Sequence, residues 1–250
     1  RAFVEQALLE GRSPASISRR IGEQEKHLTS ISTDSIERFL KSVYGRKIES
    51  LRNKQKQKKR CTHRVRSKTL DGRKFIDVRP RSIDTRQRVG DAEADFIVSG
   101  KNGVGHLLTV TDRKLRTSFI EKVFPVTIKN VHRAFKRIKK RYPELRTITT
   151  DNDLLLVHHK QLEQELGITI YFCHPYHSWE KGTIENTNGV IRKYISKGSD
   201  ISTYSSRFIR SVEEKLNNRY MECLKYRTPK EALELHRKRK SAARKRRGIM

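Results

Sequence analysis

No run of roughly 18 consecutive apolar residues occurs in this 250-residue sequence, so no hydrophobic membrane-crossing helix is expected. Cysteine is scarce. Cys61, Cys173 and Cys223 stand far apart, with neither the even number nor the spacing of a disulfide framework, which points to a reducing, cytoplasmic setting. Cys61-Thr62-His63 and Cys173-His174 match no common zinc module and read as ordinary unligated residues. The opening residues Arg1-Ala2-Phe3-Val4-Glu5 carry no initiating Met and no signal-peptide pattern; they read as a chain joined mid-helix, with further sequence expected upstream. Acids are also few. Lys and Arg number 57 against 28 Asp and Glu, a net charge of +29. Such an excess favours polyphosphate through counterion release, so nucleic acid is the expected partner. On charge alone a ribosomal or chromatin-type protein fits equally well. The 34% hydrophobic content over this length argues instead for a buried core plus one smaller domain.

Charge is uneven along the chain. Residues 1–40 sum to zero, residues 41–90 add +14, largely through Lys54-Gln55-Lys56-Gln57-Lys58-Lys59-Arg60, and residues 237–250 add +8. The apolar-poor middle reads as a basic linker over 45–88, and the end as a basic disordered tail over 237–250. Residues 1–44 read as a small helical unit. Val4 and Leu8 share one helix face before Gly11. Ser13-Pro14 then offers an N-cap and a proline at the first helical position, and Ile17 and Ile21 continue the apolar face until Gly22. Ser32 or Thr33 caps a third helix whose inward side is Ile36, Phe39, Leu40 and Val43, spaced i, i+3, i+4, i+7. Its other face presents Ser35, Arg38 and Lys41, the DNA-facing surface expected of a helix-turn-helix. A generic three-helix packing unit is the competing reading.

From Asp91 the pattern changes. Asp91–Val98, His106–Thr111 and Thr117–Val123 read as three strands with short connections, hence an antiparallel meander. A basic amphipathic helix over 126–141 follows, with Val131, Ala134, Phe135 and Ile138 inward. Then come a short β-branched strand at 147–150, a helix at 159–166, a strand at 168–172 and a helix after Gly182. That order, β-β-β-α-β-α-β-α, resembles the ribonuclease H-like nucleases. The expected class is α/β, a mixed five-stranded sheet with flanking helices over 89–236, preceded by the all-α unit and the linker.

Three acids in this frame invite chemistry. Asp95 lies on the first strand, Asp151 ends the fourth, and Glu185 opens the last helix, with 33 residues between the second and third. In such a sheet the first and fourth strands are neighbours, so the two aspartates can meet with Glu185 above them. Oxygen-only ligands suit Mg²⁺ or Mn²⁺, and two such ions serve in-line phosphoryl displacement. Asp91 and Glu93 share the strand face of Asp95 at period two, and composition does not choose among them. Asp151 also reads as a turn residue, and Glu185 as a first-turn glutamate favoured by the helix dipole.

The motifs resemble those of a DDE transposase with the retroviral-integrase type of catalytic core, most like the insertion sequence thirty family. The residues carrying the likeness are Gly90-Asp91-Ala92-Glu93-Ala94-Asp95, Thr150-Asp151-Asn152 and the run from Trp179 through Gly182, Glu185-Asn186-Thr187-Asn188-Gly189 to Arg192. Leu216-Asn217-Asn218-Arg219, Tyr226-Arg227-Thr228-Pro229 and the helices around Ser13-Pro14 and Ser35-Ile36 extend it over most of the chain. The resemblance implies that Asp95, Asp151 and Glu185 are the catalytic and metal-binding triad, and that Asp91 and Glu93 are not. It also implies Mg²⁺ or Mn²⁺, two ions, as cofactor.

Glu185, Asn188, Gly189 and Arg192 fall on one helix face. Asn188, Arg192 and Lys193 are the expected DNA contacts, and Gly189 leaves room for a close approach. Tyr176, His177 and Trp179 are candidates for stacking on bases, with plain core packing an equal reading for Trp179. The departures lie at Ala92, Ala94, Leu155-Leu156 and Asp153, the last where the family has a glycine, whose backbone angles Asp adopts less readily. The function implied is binding of an element's terminal inverted repeats, cleavage at its ends and joining to target DNA. A homo-oligomer on DNA is expected, near the nucleoid of a bacterial cytoplasm. The alternatives are a catalytically decayed relative acting only as a DNA-binding protein, and a hydrolase that cuts without strand transfer.

Overall fold

The computed structural model describes residues 1–53, 72–174 and 177–247. The chain divides into two compact units, one comprising Arg1–Arg64 with Asn217–Met250 and the other Val65–Leu216. The Lys54–Arg60 run, the Cys61-Thr62-His63 segment and Tyr176 lie outside the described residues.

The first unit opens with four helices: α1 (Ala2–Leu9), α2 (Pro14–Glu23), α3 (Thr33–Lys41) and α4 (Arg46–Asn53). The Ser13 hydroxyl accepts from the Ser16 amide with Pro14 in the first turn, and the Ser32 hydroxyl accepts from the Ser35 amide. Both starts are those expected from the caps. Val4, Ala7, Leu8, Ile17, Ile21, Ile36 and Leu40 form one buried cluster, with Phe39 and Ile48 packed on it. Val43 departs from the expected stripe and is 75% exposed. The reason is local: Ser42 takes an extended backbone and ends α3, so Val43 leaves the helical repeat. Ser35, Arg38 and Lys41 are all exposed.

The second unit is a layered α/β structure. Its elements are β1 (Lys74–Phe75), α5 (Arg81–Asp84), β2 (Asp91–Val98), β3 (His106–Asp112), β4 (Ser118–Val123), α6 (Ile128–Arg141), β5 (Thr147–Thr150), α7 (His159–Leu166), β6 (Thr169–Phe172), α8 (Gly182–Ile191) and α9 (Ser206–Asn217). The sheet order is β1-β6-β5-β2-β3-β4. The β2–β3 and β3–β4 pairs are antiparallel, while β2–β5, β5–β6 and β1–β6 are parallel. Strands β2 to β6 reproduce the expected ribonuclease H-like order, with β2 and β5 side by side. The sheet has six strands rather than five, because β1 joins its edge.

That sixth strand comes from the stretch read as linker. Residues 72–88 have few apolar groups, but Phe75 pairs with Phe172 across β1–β6 and Ile83 is fully buried. Two well-placed apolar residues suffice to anchor a segment that composition marked as polar.

One face of the sheet carries Ile97, Leu107 and Ile120, which pack with Val190 and Ile191 of α8 and Ile209, Val212 and Leu216 of α9. α6 covers the other face, burying Val131, Ala134, Phe135 and Ile138; just beyond its end, Tyr142 stacks on Phe119 at 5.0 Å. Gly90, immediately before β2, has φ of 100°, and a Cβ there would strike the Glu144 carbonyl. Only glycine meets both conditions.

The chain ends in α10 (Pro229–Arg247), part of the first unit. Residues 237–247 are therefore helical rather than a disordered tail, and residues from Asn217 onward belong to the first unit, not to the expected core over 89–236. Thr228 and Glu231 form a reciprocal capping box, 3.1 Å and 2.8 Å, ahead of a Pro at the helix start. Arg20 of α2 grips Glu231 with two bonds of 2.7 Å, and the high helix propensity of Ala, Lys and Arg carries the helix onward. Among the described residues no helix is long and apolar enough to cross a membrane.

Candidate active site

Parallel pairing sets Glu93 of β2 opposite Thr149 of β5. Continuing that register by two residues brings Asp95 level with Asp151, just past the end of β5, on the same face. The two carboxylates share one cation: the Lys181 ammonium lies 3.1 Å from Asp95 Oδ1 and 3.3 Å from Asp151 Oδ2. Lys181 directly precedes α8 and its side chain is 9% exposed. Burial opposes its charge, yet the two aspartates outweigh that cost and raise its pKa. Burial likewise pushes Asp95 above the ordinary carboxylate value, with Lys181 opposing and Asp151 reinforcing.

Asp151 is positioned by its neighbour. Asn152 donates to the Cys173 carbonyl at 2.7 Å and accepts from Arg73 at 2.9 Å, so it ties the end of β5 to the end of β6. Asp151 Oδ1 is shielded from solvent and has no hydrogen-bond partner among the described residues.

The helix above the pair is fastened from β2. Its first turn has no side-chain cap of its own; Glu93 supplies one, accepting from the Ile184 amide at 2.8 Å while gripping Arg113 at 2.6 Å. Asp91 is fully buried, held by Arg88 at 2.9 Å and Thr147 at 2.8 Å. These two acids share the strand face of Asp95, but each is already engaged in holding the fold. Asp95 differs because both of its side-chain hydrogen bonds come from Lys181 and Asn188, on the segment that also carries Glu185, and because it shares Lys181 with Asp151.

Glu185 lies on that helix at i+4 from Lys181 and i−3 from Asn188, both of which bind Asp95. Its own carboxylate is exposed, with no hydrogen-bond partner among the described residues. The structure thus unites Asp95 with Asp151 and leaves Glu185 on the neighbouring helical face.

The expected DNA contacts divide. Asn188 is not a free surface amide: it donates to Asp95 Oδ2 at 2.6 Å and accepts from Thr109 at 3.0 Å. Arg192 is half-buried and donates to the Val98 and Ser196 carbonyls at 3.1 and 3.3 Å, bracing the end of β2. Lys193 is exposed. A Cβ at Gly189 would meet nothing within 4 Å, so among the described residues none makes the close approach that its glycine permits. His177 turns toward Glu180; the side chain of Trp179 lies outside what is described.

Asp153 corrects an expectation. Its φ of −62° is ordinary for any residue, so no glycine-like backbone is needed there. Its carboxylate caps the following turn, accepting from the Leu155 amide at 2.8 Å. Burial raises its pKa, with the Leu155 amide opposing and Asp151 adding to the rise. The sequence reading missed Lys181 and Arg73. Lys181 lies between the motif residues Trp179 and Gly182, where the resemblance assigns no role, and Arg73 lies in a stretch whose charge looked generic.

No protein-family model matches the chain. It is 42% identical over 167 residues to the transposase for insertion sequence element IS4351 of Bacteroides fragilis, covering 65% of this chain and 50% of that protein. It is 34% identical over 239 residues to the transposase InsI for insertion sequence element IS30A of Escherichia coli, covering 89% of this chain and 61% of that protein. The chain thus spans half to three-fifths of these relatives. Among solved structures, the catalytic core domain of BIV integrase aligns with a TM-score of 0.47 at 15% identity, over 60% of this chain and 97% of that one. A simian T-cell lymphotropic virus intasome aligns with a TM-score of 0.49 at 16% identity, over 88% and 74%.

Proposed function

This chain is a homologue of the IS30-family transposases, and on that premise we propose that it cleaves the ends of a mobile DNA element and joins them to target DNA. The observation that carries the reading is the meeting of Asp95 and Asp151, from two parallel strands, on a single cation beneath the helix bearing Glu185. A pair of carboxylates held this close without a cation would repel, so the site is built to hold positive charge.

The residues fit a divalent ion. The donors are all carboxylate oxygens, Asp151 Oδ1 has no partner among the described residues, and the Lys181 ammonium stands where positive charge is wanted. Asp95, Asp151 and Glu185 would hold Mg²⁺ or Mn²⁺, in keeping with hard oxygen ligands. Such ions, when bound, polarise a phosphodiester and favour the attacking oxygen. The chain's own residues supply the rest: Asn188 and Lys181 orient Asp95, Asn152 orients Asp151, and Glu93 fixes the helix above them. Ser35, Arg38 and Lys41 of α3 form the surface assigned to recognition of the terminal repeats, and Lys193 contacts phosphate. The assembly on DNA is a homo-oligomer, in the cytoplasm of a bacterium.

The test uses duplex DNA ending in the inverted repeats that flank the gene, with Mg²⁺ or Mn²⁺. Nicked ends followed by joined products support the proposal. Specific binding without any cleavage would make the chain a DNA-binding descendant, and cleavage without joining would make it a hydrolase.

Two variants probe the site at finer grain. Lys181→Met is expected to lower stability by about 2 kcal/mol in metal-free buffer, because both carboxylates then lose their cation. Mg²⁺ should restore most of that loss in thermal unfolding; an equal loss with and without Mg²⁺ would reduce Lys181 to a packing residue. Gly189→Ala should stabilise α8 by roughly 0.5–1 kcal/mol and yet lower strand transfer, since the added methyl enters the open space where DNA approaches. Unchanged transfer in that variant would remove Gly189 from the DNA path.

A further inference from the structure

The loop between β6 and α8 carries a second cluster that the aspartate chemistry does not use. His174 Nδ1 lies 3.0 Å and His177 Nδ1 3.2 Å from the same oxygen, Glu180 Oε1. The ligand atoms of these three side chains all fall within 4.8 Å of one another, and all three residues are half-buried. Glu180 Oε2 is already occupied, accepting from the His174 amide at 2.9 Å, which aims Oε1 at the two imidazoles.

The His174 ring is held in one orientation by partners outside the cluster. Its far nitrogen, Nε2, lies 2.7 Å from Asp77 Oδ2, and its plane stacks on Phe75 at 5.5 Å with 12° between planes. Both partners come from the β1 segment at the sheet edge. A carboxylate on the remote nitrogen of an imidazole fixes its tautomer and raises its basicity, the arrangement that supports histidine bound to a metal. The neighbouring Cys173 is buried and does not belong to this group of converging ligand atoms.

We propose that His174, His177 and Glu180 form a binding site for a transition-metal dication of the Zn²⁺ kind, distinct from the aspartate pair, with Asp77 as its supporting carboxylate. Two imidazoles and one carboxylate are the donors that Zn²⁺ accepts and that Mg²⁺ does not prefer. Three protein ligands leave a fourth position for water or a phosphate oxygen. Glu180 immediately precedes Lys181, so an ion here would fix the loop that sets Lys181 and the start of α8. The proposal stands on this geometry and does not depend on the strand-transfer reading.

The test is titration of the full, metal-stripped chain with Co²⁺, followed by visible absorption, with Zn²⁺ as competitor. One equivalent should bind with the bands of four-coordinate Co²⁺ and no thiolate charge-transfer band, and Zn²⁺ should displace it. His177→Ala and Glu180→Gln should abolish the bands, whereas Asp95→Asn and Asp151→Asn should leave them unchanged. Asp77→Asn should weaken Co²⁺ binding by roughly 10–100-fold; this side chain is 70% exposed, so the test survives if a ligand variant fails to fold. No bands at excess Co²⁺, a thiolate band, or loss of the bands in Asp95→Asn but not in His177→Ala would each overturn the proposal.

Discussion

Asp95→Asn, Asp151→Asn and Glu185→Gln are each expected to reduce Mg²⁺-dependent cleavage and joining to background while leaving DNA affinity and thermal stability close to those of the parent chain. Each change removes one negative charge from a site whose chemistry requires a concentrated one, and each keeps the side-chain volume. Asp95 and Asp151 are held by Lys181 and Asn188, and an amide at either aspartate position can still accept from the ammonium. Glu185 has no side-chain hydrogen-bond partner to lose among the described residues, so its loss reads on catalysis alone. Gel-based cleavage assays, run beside binding and unfolding curves, separate these effects. Retained joining in any one variant would strike that residue from the triad. Loss of joining with a folded Asp91→Asn protein would shift the catalytic acid by four residues along β2.

Glu93→Ala is expected to have the largest effect on stability, a loss of about 3–5 kcal/mol. Glu93 is 1% exposed and its partner Arg113 8%, so deletion leaves a buried guanidinium without its counter-charge and the Ile184 amide without an acceptor. Arg113 Nε already has no partner among the described residues, so the guanidinium has little to fall back on. The start of α8 would then loosen, and activity would fall through misplacement of Glu185. Urea unfolding measures the first effect. The second is diagnosed by temperature: activity of Glu93→Ala should recover in part on cooling to where the variant is folded, whereas Asp95→Asn stays inactive at every temperature. A stable but inactive Glu93→Ala would make Glu93 the catalytic acid of this strand.

The two predictions treat acids on the same strand face in opposite ways, and that distinction was only partly legible in the residues. The alternation of β2, the β-branched run at 147–150, the caps at Ser13 and Ser32 and the stripe of α6 are local signals, set by periodicity and turn chemistry, and the elements formed where they pointed. Resemblance in the motif from Gly90 to Asp95, together with the two blocks that follow it, selected Asp95 over Asp91 and Glu93, but supplied no physical cause. A tertiary difference accompanies that choice: Arg88 and Thr147 hold Asp91, Arg113 and the Ile184 amide hold Glu93, and Asp95 is the one of the three that shares a lysine with Asp151. Composition misread two segments. The stretch 72–88 contributes β1 and α5 through Phe75 and Ile83, and residues 237–247 extend a helix whose Thr228–Glu231 capping box was present in the sequence but overshadowed by charge.

The sequence by itself determined the order of elements from β2 to α8, the polycationic character, the apolar faces and the three acids, because each depends on residues close together along the chain. The tertiary structure decided which carboxylates meet, that one lysine spans them, that Asn188 serves Asp95 rather than the surface, and that His174, His177 and Glu180 converge with Asp77. Those outcomes depend on strand register and on where a helix lands. Both are settled by packing between segments distant in sequence, and local patterns carry no record of them.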